Sequence, residues 1–281
     1  LSKNRKKFKE TKKDNKFFNN LLSRKIIKNL SFKLTSNQEK VISEINEDLK
    51  SNKKMFRILQ GDVGSGKTIV SFITTANVLE LGYQCVLMAP TAILAQQHFD
   101  LAKKIFNGIK INIKLLTGKT ETKIKKKILE DVKNGKINLL VGTHALFQKK
   151  VIFKNLGYII IDEQHKFGVK QRMSLANKGG NNCDVLLMSA TPIPRSMVLT
   201  IYGDMDVSRL IEKPKNRLPI LTYSKPEKKI HELIDIIKKN LSENNQVFWV
   251  CPLIRDSQVL DYSSVFKRFE WLKKKFPNQT N

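Results

Sequence analysis

Between residues 32 and 224, short apolar runs rich in β-branched residues alternate with longer segments whose apolar residues recur every three or four positions. The short runs predict buried strands, and the longer segments predict amphipathic helices. Such alternation is typical of an α/β fold in which a parallel sheet carries helices on both faces. The predicted strands are Phe56 to Gln60, Gln84 to Met88, Ile113 to Leu116, Ile137 to Val141, Tyr158 to Ile161 and Val185 to Met188.

Two shorter regions flank this pattern. Residues 1–30 are strongly basic, yet apolar residues recur at helical spacing from Phe17 to Ile27. We predict a connecting helix whose apolar stripe packs against the following domain or against a preceding one. From residue 225 we predict a helix (227–242), a strand (246–251) and an amphipathic segment (265–276). These residues are too few to close a second α/β layer, so we expect 225–281 to begin a truncated second domain.

The chain carries a large positive charge. It contains 52 Lys or Arg residues against 25 Asp or Glu, which gives a formal net charge of +27. Such an excess is typical of proteins that neutralise phosphates. Only nine of the basic residues are Arg, and Lys is the less specific cation for phosphate recognition. The charge therefore fits a DNA track and a solvated Lys-rich surface about equally well.

The cysteines and the apolar runs restrict the class of protein. Cys85, Cys183 and Cys251 are scattered and lack C-x-x-C spacing, which supports neither a disulfide framework nor a zinc site. The first thirty residues contain no apolar signal-peptide core, and the apolar runs are too short to cross a bilayer. We expect a cytoplasmic protein.

A phosphate-binding loop follows the first predicted strand. It fits the pattern G-x-x-x-x-G-K-[ST] and lies directly before a predicted helix, Ile69 to Leu81. The glycines let backbone N–H groups surround phosphates, to which the helix N-terminus adds its positive dipole end. Lys67 is expected to reach the β- and γ-phosphates of ATP, and Thr68 to bind Mg²⁺. The loop is Gly61-Asp62-Val63-Gly64-Ser65-Gly66-Lys67-Thr68.

Acidic and hydroxyl residues follow two later strands. Asp162 and Glu163 come directly after Tyr158 to Ile161. We predict that Asp162 contacts Mg²⁺ and that Glu163 polarises the attacking water. Gln164 and His165 follow next in the sequence. His165 is expected to couple the state of the bound nucleotide to the next motif through hydrogen bonds to its hydroxyl groups. That motif, Ser189-Ala190-Thr191, follows the strand Val185 to Met188.

In this order, the phosphate loop, D-E-x-H and S-A-T resemble the first motor domain of superfamily 2 helicases and translocases. Longer stretches together resemble the RecG family: GDVGSGKT, MAPTAILAQQHF, LLVGTHALFQ, YIIIDEQHKFGVKQR and SATPIPRS. The transcription-repair coupling translocases are a close alternative, but they usually carry Glu where this chain has Gln164. The resemblance covers residues 32–254 and implies a RecA-like P-loop NTPase domain (31–224), followed by the start of a second RecA-like domain.

The resemblance also implies further contacts. Phe32 and Gln38 correspond to the adenine-reading segment, in which Gln38 would hydrogen-bond the base. Thr35, just before Gln38, could equally cap the helix that begins near Ser36, and both roles can hold together. Three loops correspond to family contacts with the DNA backbone, which suit sequence-independent binding. They are Pro90-Thr91, Thr117-Gly118 and Thr143-His144.

The implied activity is ATP-dependent translocation on double-stranded DNA, with remodelling of branched DNA such as stalled forks and recombination junctions. The implied cofactors are ATP and Mg²⁺, and we favour a monomer. The alternatives are a transcription-repair coupling translocase and a non-unwinding protein that uses ATP as a switch. In the family, an arginine from the second domain completes the ATP site, and we expect it beyond Asn281. The 281 residues alone are therefore not expected to work as a motor.

Overall fold

The computed structural model describes residues 12–163, 178–191, 205–212, 220–251 and 265–276. The α-helices are α1 (Leu21–Asn29), α2 (Ser36–Lys50), α3 (Lys67–Glu80), α4 (Ala92–Ile105), α5 (Thr122–Lys133), α6 (Ile230–Ser242) and α7 (Val265–Lys275). The strands are β1 (Phe56–Gly61), β2 (Gln84–Met88), β3 (Ile113–Leu116), β4 (Leu139–Gly142), β5 (Leu156–Ile161), β6 (Asp184–Ser189) and β7 (Asp206–Leu210). Short 3₁₀ turns span His144–Phe147 and Glu227–Lys229.

The strands form one seven-stranded sheet in the order β3-β4-β2-β5-β6-β1-β7. Every pairing between neighbouring strands is parallel. The predicted parallel α/β fold is therefore confirmed, and six of its strands follow the apolar runs to within about two residues. We did not predict β7. Its sequence, Asp206-Val207-Ser208-Arg209-Leu210, mixes polar and apolar residues because, among the described strands, it forms an edge and pairs with β1 alone.

Helices cover both faces of the sheet, as the apolar pattern predicts. Alternate residues of each strand point to opposite faces, and two separate buried clusters result. One cluster contains Leu59, Leu87 and Ile160 from the strands, together with apolar residues of α1 to α4. The other contains strand residues of the opposite parity and Ile128 and Val132 of α5. The central strands are buried on both faces, which explains their continuous apolar sequence.

The N-terminal helix α1 packs against the domain that follows it. Phe18 and Ile26 are buried in the same cluster as α3. The Glu80 side chain, at the end of α3, accepts hydrogen bonds from the backbone N–H groups of Asn19 (2.9 Å) and Leu22 (3.1 Å). A carboxylate at this position satisfies donors that a helix N-terminus leaves unpaired. Part of the apolar stripe therefore contacts the following domain, whereas Phe17 and Leu21 of the stripe are exposed.

Two lysines of the basic N-terminal region are buried against one carboxylate. Lys13 Nζ lies 2.8 and 2.7 Å from the two carboxylate oxygens of Asp184, at the start of β6. Lys16 Nζ also contacts Asp184, and it donates to the carbonyl oxygens of Gly157 (2.9 Å) and Asn182 (2.7 Å). Both lysine side chains are excluded from solvent. Lys13 and Lys16 therefore belong neither to a solvated surface nor to a DNA track.

Residues 218–281 form a second compact unit, distinct from residues 1–217. The predicted helices appear as α6 and α7. The predicted strand 246–251 is wrong, because these residues have no regular backbone pairing in the structure. A strand needs a neighbour for its backbone N–H and C=O groups, and Phe248 and Val250 are 84% and 88% exposed instead. Among the residues that the structure describes, none of the helices combines the length and apolar character needed to cross a membrane.

Candidate functional site

The order of the strands sorts the candidate residues into two groups along one edge of the sheet. Since all strands are parallel, their carboxyl ends lie at the same edge, where open α/β sheets bind ligands. The predicted nucleotide residues follow β5, β6 and β1, which are neighbours in the sheet. The predicted DNA-contacting residues follow β3, β4 and β2, which are also neighbours. The two groups meet between β2 and β5.

The phosphate loop adopts a conformation that depends on its glycines. Gly64 and Gly66 have φ angles of 79° and 91°, a region that residues with a Cβ atom rarely occupy. A Cβ atom at Gly66 would collide with the Gln38 side chain, and one at Gly61 would lie 2.5 Å from Ser65 Oγ. Ser65 Oγ is buried and has no hydrogen-bond partner among the residues that the structure describes. The loop is thus a close backbone cradle with an unsatisfied hydroxyl inside it.

Lys67 lies at the start of α3 with its ammonium group inside this loop. Its Nζ donates to the carbonyl oxygens of Gly61 (2.6 Å) and Asp62 (3.0 Å). Burial lowers the pKa of Lys67, and the negative charges of Asp162, Glu163 and Asp62 oppose that shift. The structure therefore brings together the lysine and both carboxylates that the sequence singled out.

Gln38 ties the loop to helix α2. Its side-chain Oε1 accepts from the Thr35 backbone N–H (3.0 Å), while Thr35 Oγ1 accepts from the Gln38 N–H (3.2 Å). This reciprocal capping box begins the helix as predicted. In addition, Gln38 Nε2 donates to the Ser65 carbonyl oxygen at 2.9 Å. Both ends of the amide thus have protein partners, and its predicted contact with adenine stays a prediction.

Phe32, which begins the predicted adenine-reading segment, is 49% exposed. It lines a surface cavity of about 520 Å³ with Leu30 and Leu34. It also lines an adjoining cavity with Ile69 of α3, next to Thr68. An exposed aromatic ring beside the phosphate-loop helix suits stacking against a base.

Asp162 is held at the end of β5 by contacts to both of its carboxylate oxygens. Its Oδ1 accepts from the Glu163 backbone N–H at 3.0 Å, and its Oδ2 lies 2.7 Å from His98 Nε2. Glu163 has a φ angle of 47°, so the chain turns sharply after Asp162. His98 was not among the residues predicted from the sequence. The signal available in the sequence was that His98 belongs to the stretch MAPTAILAQQHF, which begins at the end of strand β2.

The hydroxyls of the S-A-T motif contact one another after β6. Ser189 Oγ lies 2.9 Å from Thr191 Oγ1 and accepts from the Thr191 backbone N–H at 3.2 Å. Ser189 is buried, while Ala190 and Thr191 are increasingly exposed. Gln164 and His165, predicted to couple this motif to the nucleotide, lie outside the described residues.

The second group of loops presents short polar residues after β2, β3 and β4. Thr91 Oγ1 accepts from the Leu94 N–H (3.2 Å) and thereby caps α4. Thr117 Oγ1 accepts from the Lys119 N–H at 3.3 Å. Thr143 Oγ1 is buried, and within the described parts of the chain it has no hydrogen-bond partner. Pro90 precedes Thr91 in the first of these loops, and a Cβ atom at Gly118 would lie 4.0 Å from the exposed His144 ring.

Comparison with known proteins gives a consistent result. The profile of the DEAD/DEAH box helicase family matches residues 35–199. The ATP-dependent DNA helicase RecG of Aquifex aeolicus is 47% identical over 91% of this chain, and RecG of Bacillus subtilis is 42% identical over 94%. These matches cover 32% and 39% of the two relatives. The chain thus spans about a third of the length of the curated relatives it matches.

Solved structures agree with the sequence matches. A structure of RecG bound to a three-way DNA junction is 38% identical and superposes with a TM-score of 0.82, covering 98% of this chain and 36% of that one. A structure of Mss116p bound to single-stranded RNA and AMP-PNP, at 21% identity and a TM-score of 0.60, covers 80% of this chain and 50% of that one and shares the fold. The chain therefore belongs to the DEAD/DEAH box helicase family, and its sequence is similar to that of RecG over nine-tenths of its length.

Proposed function

We propose that this chain is the ATP-hydrolysing part of a DNA helicase or double-strand DNA translocase that remodels branched DNA in repair and recombination. The observation that carries the proposal is the strand order, which places the phosphate loop and its carboxylates beside a row of short polar loops suited to a phosphate backbone. The RecG structure that superposes on this chain is bound to a three-way DNA junction, which supports branched DNA as the substrate.

The residues of the nucleotide half fit ATP and Mg²⁺. The glycine cradle, the unsatisfied Ser65 hydroxyl and the ammonium group of Lys67 together suit the binding of an anion. Thr68 and Asp162 offer the oxygen ligands that Mg²⁺ prefers. Bound Mg²⁺ would neutralise charge on the β- and γ-phosphates. In our proposal Lys67 donates to those phosphates and Glu163 accepts a proton from the attacking water.

We further propose a division of the chain into three parts. Residues 31–224 form the RecA-like nucleotide-binding domain, residues 1–30 form its connecting segment, and residues 225–281 begin a second RecA-like domain. The compact units 1–217 and 218–281 support a boundary near that position. We propose a cytoplasmic location as well, since Cys85, Cys183 and Cys251 are all free thiols.

The proposed function is tested by ATP turnover in the complete gene product, with any regions that flank these residues retained. Forked or junction DNA is expected to stimulate ATP hydrolysis more strongly than linear duplex DNA of equal length. Absence of stimulation by any DNA would contradict the proposal and favour a protein that uses ATP only as a binding switch.

Glu163→Gln tests the role of the second carboxylate in the complete gene product. The amide keeps the shape of the side chain but loses its basicity, so ATP is expected to bind with near-normal affinity. Hydrolysis is expected to slow by about a hundredfold or more. Nucleotide binding is measured by titration with a fluorescent ATP analogue, and hydrolysis by phosphate release. A variant that no longer binds nucleotide would show that Glu163 has a different role.

The isolated 281-residue chain is expected to bind ATP and DNA without efficient ATP hydrolysis. It contains the phosphate loop and Asp162, so it is expected to bind ATP with Mg²⁺ weakly. It is also expected to bind DNA at low salt, with affinity that falls steeply as counterions compete. An arginine supplied across the cleft is worth about a thousandfold or more in rate, so DNA-stimulated hydrolysis is expected to be almost absent. Robust stimulation in the isolated chain would contradict this division of labour.

A further inference from the structure

His98 joins the two halves of the site. It lies on α4, the helix that begins at the predicted DNA contact Thr91, and it reaches across to Asp162 at the end of β5. Strands β2 and β5 are neighbours at the point where the two groups of loops meet. His98 and Asp162 are 64 residues apart in sequence, and their side chains are only 10% and 12% exposed. The contact is therefore a specific long-range feature of the fold.

The direction of the hydrogen bond follows from the chemistry of its partners. An ionised carboxylate can only accept, so His98 Nε2 carries the proton and donates it to Asp162 Oδ2 at 2.7 Å. The Glu163 N–H fixes the other oxygen, Oδ1. Each carboxylate oxygen accepts about two hydrogen bonds. Counting donors from the described residues, each Asp162 oxygen has one, which leaves capacity for a metal ion or its water. The two donors therefore fix the plane of the Asp162 carboxylate.

We propose that His98 is a positioning residue: it orients Asp162 for Mg²⁺ and transmits the DNA-bound position of α4 to that carboxylate. The inference rests on the proposed function, because it assumes that Asp162 binds Mg²⁺ and that the start of α4 contacts DNA. A DNA backbone held at Thr91 acts on the first turn of α4, and His98 lies two turns further along the same rigid helix. A shift of α4 therefore changes the hydrogen bond on Asp162 directly.

The matched pair His98→Gln and His98→Asn tests this role in the complete gene product. Both variants place a neutral amide at the same buried position, but only the longer Gln side chain brings an N–H donor to the position of the histidine Nε2. Residues that hydrogen-bond to a metal ligand typically contribute about ten- to a hundredfold in metal affinity or activity. We therefore expect His98→Asn to raise the Mg²⁺ concentration for half-maximal ATP turnover by about tenfold or more. His98→Gln is expected to retain most of the wild-type behaviour.

The same pair tests the link to DNA. For each protein, ATP turnover is measured with and without forked DNA across a range of Mg²⁺ concentrations. His98→Asn is expected to lose DNA stimulation even at saturating Mg²⁺, whereas His98→Gln keeps it. The control is His231→Ala, a change at an exposed histidine on α6, which is expected to behave like the wild type in both measurements.

A purely structural role for His98 would predict a different result. It would lower thermal stability in both amide variants and leave the Mg²⁺ requirement of the folded protein unchanged. Equal Mg²⁺ requirements and equal DNA stimulation in His98→Asn, His98→Gln and the wild type would overturn the proposal. If instead the wild type itself shows no DNA-stimulated turnover, the proposed function fails, and the two failures are distinguishable.

Discussion

Replacing Lys67 by Ala in the complete gene product is expected to lower ATP turnover by at least about a hundredfold. The ammonium group lies inside the phosphate loop, where its hydrogen bonds to Gly61 and Asp62 hold it near the position that the phosphates would take. A positive charge fixed in advance costs little reorganisation when negative charge develops during phosphoryl transfer. Alanine removes that charge and leaves the glycine turns intact.

The same change is expected to leave the fold in place. Lys67 contributes hydrogen bonds to a partly solvated loop rather than packing in the core, so the free energy of unfolding is expected to fall by no more than about 2 kcal/mol. Phosphate release measures turnover, and urea denaturation measures stability. Lys123→Ala, at an exposed lysine of α5, is the matched control. Normal turnover in folded Lys67→Ala would show that the nucleotide site is wrongly assigned.

Asp184→Ala is expected to give the largest loss of stability, about 3–5 kcal/mol. The change removes a buried carboxylate that both Lys13 and Lys16 contact. Asp184 Oδ1 also accepts from the Met55 backbone N–H at 2.7 Å, just before β1. Two buried ammonium groups would lose their negatively charged partner and keep only backbone carbonyl acceptors among the described residues, and the Met55 N–H would lose its acceptor. Burial already lowers the pKa of Lys13, so its charge is costly to bury even with Asp184 present.

Denaturant unfolding of the 281-residue chain measures this effect. Asp100→Ala is the control, since Asp100 is an exposed carboxylate of α4 that accepts hydrogen bonds from exposed Gln96. A surface change of this kind is expected to alter the free energy of unfolding by about 0.5 kcal/mol or less. Equal effects of the two substitutions would mean that the buried lysines are neutralised or hydrated in another way.

The sequence predicts the sheet well because the central strands are buried on both faces. Burial on both faces makes β2, β5 and β6 continuous apolar runs, and parallel order then places everything that follows them at one edge. The loop from Gly61 to Thr68 and the pair Asp162 and Glu163 could be assigned for that reason. Their roles in catalysis stay predictions that the substitutions above test.

The features that sequence reasoning missed all depend on long-range contacts. β7 is an edge strand, so its pairing with β1 rather than its own composition makes it a strand. The predicted strand 246–251 has the apolar composition but lacks a pairing neighbour among the described residues. Lys13 reaches a carboxylate 171 residues away, and His98 reaches one 64 residues away. No local pattern of hydrophobic and polar positions carries that information.

The buried lysines have a practical consequence for isolating this domain. The match to the DEAD/DEAH box helicase profile begins at residue 35, and the predicted nucleotide contacts begin at Phe32. A protein cut at either boundary would keep every candidate catalytic group and lose Lys13 and Lys16. Asp184 would then remain buried at the amino end of β6, the strand that leads to Ser189, without the two ammonium groups that contact it. Removing these N-terminal residues would therefore destabilise the domain as a core mutation does. Loss of ATP binding in such a truncated protein would indicate unfolding, and it would not show that the nucleotide site is wrongly assigned.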